Sequence, residues 1–127
     1  MRLKILAPAE TVIDEDVMKV TGEAANGSFT LLPRHVDFVT ALVPGILSFV
    51  TPDGSERLLA VDHGILVKRA GEVLVSTAGA YEGPELGSLR ETVMDLADAA
   101  EERDRVARSA LARLEVNIVR RFIELRQ

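Results

Sequence analysis

From residue 88 to residue 127 the chain runs for 40 residues without a glycine or a proline. Glycine weakens a helix through backbone entropy, and proline breaks it by losing an N–H and clashing with the preceding turn. A stretch free of both can be helical throughout. Leu89, Val93, Leu96, Ala100, Ala107, Leu111, Leu114, Ile118, Phe122 and Leu125 recur there at helical spacing, with Arg103 the one charged residue in the series. That spacing predicts a single apolar face. Ser88 and Glu91 form an S-x-x-E capping box, which puts the helix start just after Gly87.

Charge divides this segment. Glu91, Asp95, Asp98, Glu101, Glu102 and Asp104 make its first half acidic, and Arg108, Arg113, Arg120, Arg121 and Arg126 make its second half basic. One helix of this length would extend for about 60 Å, too long to pack on a small domain without projecting. A hairpin turned near residues 102–106 would set acids against bases. A single helix also suits its own macrodipole, acids first and bases last. Helical hairpin and one long helix both remain open.

The preceding residues read differently. LKILAP, VMKVTGEA, SFTLLP, FVTALV, ILSFVTPDG, ERLLAVDHG, ILVKRAG and EVLVSTAG are short apolar or alternating runs, punctuated by Gly, Pro, Asn and Asp at about 8–12-residue spacing. Pro52-Asp53-Gly54 is a strong turn, and Lys68 to Glu72 reads as a hairpin connection. The expected fold is therefore α+β in two parts. A β-sandwich of about ten short strands fills residues 1–84, and an α-helical domain follows over residues 85–127.

Composition excludes several function classes. With no cysteine there is no disulfide, thiolate chemistry or Cys-based zinc site. The formal net charge of −5 argues against general phosphate-backbone binding. No apolar run approaches the ~18–20 residues needed to cross a bilayer as a helix, and MRLKILAPAE looks like a first strand rather than a signal peptide. Membrane association would then come through another protein. His35 with Asp37, and Asp62 with His63, are the His/Asp combinations present. Their i,i+2 and i,i+1 spacings do not match a metal or acid–base motif. Asp62-His63-Gly64 reads better as a turn. No nucleophile elbow or phosphate-cradling glycine loop occurs. An enzyme acting alone has little support, as does a metalloprotein built on these four residues. An adaptor domain with a basic helix for acidic partners is the remaining alternative.

One stretch is more specific. NGSFTLLPRHVDFVTALVPGIL, residues 26–47, resembles the pattern G-x-x-G-x-L-P-G-H-A-P-L-L-T-A-L-x-P-G-x-L of the epsilon subunits of bacterial F-type ATP synthases. Pro33, His35, Thr40, Ala41, Leu42, Pro44, Gly45 and Leu47 match in register. AVDHGILVK (residues 60–68) and VLVSTA (residues 73–78) resemble the family's A-V-S-G-G-x-L-E-V and V-T-V-L-A-D segments. Arg34 replaces the usual Gly, Val36-Asp37 the usual Ala-Pro, and His63 the first Gly of the pair. The set LPRHVDF resembles an alternate, sodium-linked branch of F-type ATPases.

The resemblance implies a central-stalk rotor subunit, without catalysis or cofactor of its own, that couples ion transport to ATP synthesis. The implied partners are the gamma subunit, the membrane c-ring and the catalytic alpha and beta subunits. The implied location is peripheral, on the cytoplasmic side of a bacterial membrane. Carried over by position, the c-ring and gamma contacts are Asn26, Gly27, Ser28, Leu32, Pro33, Arg34, His35, Asp37 and Thr40. Arg108, Arg113, Arg120 and Arg121 would be the regulatory helix contacts that restrain hydrolysis. The (I/L)-D-x-x-R-A motif of ATP-binding members has its nearest counterpart at residues 103–108, RDRVAR. There neither the leading aliphatic residue nor the Arg-Ala pair is in place.

Overall fold

The computed structural model describes residues 1–83 and 85–126, the side chain of residue 126 apart. Ten strands precede one helix: β1 (Arg2–Ala7), β2 (Glu10–Asp16), β3 (Lys19–Ala24), β4 (Gly27–Leu31), β5 (Phe38–Leu42), β6 (Gly45–Val50), β7 (Glu56–Val61), β8 (Gly64–Arg69), β9 (Glu72–Thr77), β10 (Ala80–Glu82) and α1 (Leu86–Arg126). The eight apolar runs all contain strands. The two strands outside those runs are β2, whose ETVIDED is mostly polar, and the three-residue β10.

Strand order is β10-β7-β6-β3-β5-β8-β9-β1-β2, with β4 beside β3. All pairings are antiparallel except β1 with β9. Burial follows the pleat: in β9, Val73, Val75 and Thr77 are buried while Glu72, Leu74 and Ser76 are exposed. The inward sets form one core of Leu3, Ile5, Val20, Leu47, Phe49, Leu59, Leu66 and their neighbours. Each such side chain contributes about 1.5–3 kcal/mol when removed from water.

β10 and β2 end the strand path at opposite edges. Arg57 of β7 joins them. Its Nη1 donates to both Glu15 carboxylate oxygens of β2, at 2.7 and 2.8 Å, and its Nε donates to Glu82 of β10 at 2.7 Å. The guanidinium lies 5.1 Å from the Phe49 ring centroid, and hydrogen bonding to Glu15 and then Glu82 pushes its pKa above the ordinary value. The rolled sheet is closed along this seam by side chains, where backbone pairing stops.

α1 is unbroken, so of the two helical forms the structure has the single helix and no hairpin. Its start departs from the capping box. The Glu85 carbonyl accepts from the Leu89 N–H at 3.2 Å and from the Ser88 hydroxyl at 3.0 Å, so Ser88 lies inside the first turn. A hydroxyl there bonds backward to a carbonyl instead of capping. The chain divides into two compact units, Met1–Ala97 and Asp98–Gln127. In the first, Leu89 is buried and sits against Gly83. In the second, Leu111, Leu114, Ile118 and Leu125 are exposed.

Candidate partner-binding site

The turn that opens the candidate site is built by proline. Pro33 and Arg34 form the centre of a turn closed by the His35 N–H donating to the Leu32 carbonyl at 2.9 Å. Leu32, Pro33 and Arg34 are exposed. The His35 ring bonds through Nδ1 to the Val36 carbonyl at 2.7 Å, and because a carbonyl only accepts, Nδ1 carries the proton. The same ring stands edge-on to Phe38, which in turn meets Phe29, both at 5.7 Å between centroids.

Asp37 fastens this loop to another. Its carboxylate accepts from the Ala70 N–H at 3.0 Å, while the Lys68 ammonium donates to the Ala70 carbonyl. Ala70 has φ 51°, a left-handed conformation that costs an L-residue about 1 kcal/mol. Both of its backbone polar groups are thus held by side chains. Lys68 is buried, although its charge suggests a surface position. Its place in ILVK held the signal: two residues after Leu66, it falls on the inner face.

β4 separates two parts of the expected contact set. Asn26 lies in the turn of the β3–β4 hairpin and Gly27 and Ser28 begin β4, whereas residues 32–35 follow its other end. Four strand steps, roughly 13 Å, lie between Gly27 and Leu31. Gly27 has φ 124°, which explains the glycine there. Thr40 pairs with Leu66 on the inner register of β5 and is half-buried, so its side chain is not on the outer face.

The two His/Asp combinations are likewise apart. Residues 35 and 37 precede Phe38, which pairs with Lys68, and residues 62 and 63 precede Gly64, which pairs with Leu42. They therefore sit at opposite ends of the β5–β8 pair. His63 Nδ1 is 3.0 Å from Asp62, and the Thr77 hydroxyl is within reach of the Asp62, His63 and Gly79 carbonyls. This is turn chemistry, between two strands that do not pair with each other. Among the described residues no group of three or more metal-ligating side chains occurs.

What the sandwich does present is an apolar outer face. Val39 pairs with Val67, Val67 with Leu74, and Ala41 with Ile65. Val39, Ile65 and Leu74 are exposed, as is Val36 in the adjoining loop at 76%. Contiguous apolar exposure of this kind suits an interaction surface. Val39, Ile65 and Leu74 fall in runs that read as strands from the sequence, and their outward direction follows from the register.

The β-sandwich domain model of the ATP synthase delta/epsilon chain matches residues 1–83. The chain belongs to the ATP synthase epsilon chain family. Among epsilon-chain relatives, "ATP synthase epsilon chain 2" of Cereibacter sphaeroides is 33% identical over 94% of this chain and 84% of its own length. The epsilon chain of Sulfurovum sp. is 29% identical over 91% of this chain and 93% of its own. A chain of the Euglena gracilis mitochondrial ATP synthase, in a structure of OSCP, F1 and c-ring, superposes with TM-score 0.60 at 24% identity. That match covers 63% of this chain and 51% of the other. A chain from the central stalk and c-ring of the Tetrahymena thermophila enzyme gives TM-score 0.56 at 12% identity, over 78% and 94%. At those identities the structural likeness concerns the fold. As an epsilon chain, the protein is a stalk subunit of a membrane-associated ATP synthase, and among its described residues no helix is long and apolar enough to cross a membrane.

Proposed function

We propose that this epsilon chain, carrying no catalysis itself, ties a gamma-type subunit to the c-ring through its sandwich and restrains ATP hydrolysis through α1. The observation that carries the reading is the apolar outer face of β5, β8 and β9 beside the loop of residues 32–37. An exposed face of Val, Ile and Leu suits an apolar protein partner. We assign it to the gamma-type subunit, with Leu32, Pro33, Arg34 and His35 at its rim. Asp37 acts there by holding the loop, and Thr40 by supporting β5 from the inner side. The small polar tip of Asn26, Gly27 and Ser28 suits the polar loops of a c-ring, and the strand between the two sets lets one domain touch both partners. Membrane attachment is then peripheral, through the complex, on its cytoplasmic side. The LPRHVDF set supports placement in the alternate, sodium-linked branch.

The experiment is binding of the full chain to a gamma-type subunit. Ile65→Asp, at an exposed position, is expected to cost about 2 kcal/mol, roughly thirtyfold in affinity, as at an interface hot spot. Unchanged binding would remove the outer face from the interface.

For the brake, Arg108, Arg113, Arg120 and Arg121 are exposed and available to an acidic surface of the catalytic subunits. Exposed ion pairs contribute only about 0–1 kcal/mol each and weaken with salt, which suits a reversible restraint. A chain cut after Ala97 keeps the buried Leu89 and should assemble normally while raising the ATPase rate of the complex. A rate equal to that of the uncut chain, at low salt, would rule the brake out.

A further inference from the structure

The second unit contains its own complement. Beyond Asp98, α1 leaves Leu111, Leu114 and Ile118 between 56% and 59% exposed and Leu125 at 85%. We propose that this face is covered by the same face of a second copy of the chain, with the two helices antiparallel.

The register follows from charge. Residues 100, 104, 107, 111, 114, 118, 121 and 125 recur in alternating steps of three and four, the seam of a two-stranded coiled coil. Six of these are apolar, and the other two are Asp104 and Arg121. One antiparallel alignment sets Asp104 against Arg121 of the second copy. The same alignment sets Leu111 against Leu114, Ala107 against Ile118 and Ala100 against Leu125, so apolar residues meet throughout and the alanines face large partners. At the flanking positions Arg108 meets Glu115 of the second copy, and Arg103 meets Glu124. Every one of these contacts occurs twice by symmetry. The two-fold axis passes between Ala112 and Arg113, the middle of the unit Asp98–Gln127.

Other arrangements fail on the same residues. A parallel pair would set Asp104 on Asp104, Arg121 on Arg121 and Arg103 beside Arg108. A fold-back within one chain needs a turn near residues 102–106, where α1 is unbroken. Seating Asp104 and Arg121 in the seam costs desolvation, and what it supplies is a unique register. The pairing occupies Arg108 and Arg121, so a self-associated chain has these arginines withheld from any other acidic surface.

Sedimentation of the full chain across a concentration series tests this. A monomer–dimer equilibrium is expected, weakening as salt is raised. Asp104→Arg and Arg121→Asp should each weaken it by about tenfold or more, since like charges then meet at both symmetry-related sites. The double variant Asp104→Arg/Arg121→Asp should restore it. Because the chain has no cysteine, orientation can be read directly. Under mild oxidation, Ala107→Cys mixed with Ile118→Cys should give the mixed disulfide, and neither variant alone should cross-link. A monomer at every concentration, a double variant no better than the single ones, or disulfides within each single variant would overturn the proposal.

Discussion

Replacing Gly64 with alanine is expected to destabilise the sandwich by about 3 kcal/mol or more, at the upper end for single substitutions. Gly64 opens β8 between Leu42 of β5 and Thr77 of β9. A Cβ there would stand 2.1 Å from the Ser76 carbonyl oxygen and 2.8 Å from the Thr77 Cα. Both obstacles are backbone atoms of a paired strand, so neither can step aside as a flexible side chain would. The strands must separate, which opens the ladder next to the Thr77 hydrogen bonds. For a unit of this size the loss corresponds to a fall in melting temperature of roughly 15 °C. A melting temperature within a few degrees of the parent would show that β8 and β9 can spread at that point. Alanine at Gly71 or Gly87 meets nothing within 4 Å, which makes either a clean control for steric cost.

Phe49→Ala is expected to cost about 3–5 kcal/mol in urea unfolding of the full chain. Phe49 is fully buried and is the largest such side chain of the core. It also supports the guanidinium of Arg57, so its loss empties core volume and removes the surface under the seam. Phe49→Leu keeps most of the volume and should cost less than about 1.5 kcal/mol. If the two substitutions cost the same, the ring matters through Arg57 and not through its volume, and Arg57→Met should then reproduce the loss.

Much of the fold was legible because the two periodicities differ so sharply. Alternation in EVLVST allows one reading, a strand, and the glycine-free run after Gly87 reads as helical while leaving hairpin and single helix open; the strand and the helix both hold. β2 was not legible, since ETVIDED owes its place to Ile13, its one buried residue, with acidic side chains along its outer side. The hairpin alternative survived because a self-complementary charge pattern does not say whether its complement is the same chain or another. The site was legible only as a family likeness. Residues 26–28 and 32–35 border the run SFTLLP, and β4, Gly27–Leu31, carries most of that run as a strand that sets the two groups apart. The Asp37–Ala70 contact joins residues 33 positions apart, which no local pattern announces.

The seam at Arg57 also bears on how the chain is made. Its three members come from residues 15, 57 and 82, and β1 finds its parallel partner only in β9. Closure of the sheet must therefore wait until nearly the whole sandwich segment is available. Non-local pairings of this kind slow folding and leave strand edges open in the meantime. On a ribosome, a chain still short of Glu82 lacks one of the two carboxylates that hold Arg57 and the strand β10 that carries it. Any shortened version meant to fold alone must retain Glu82, and the helical segment will always be synthesised after the sandwich has become able to close.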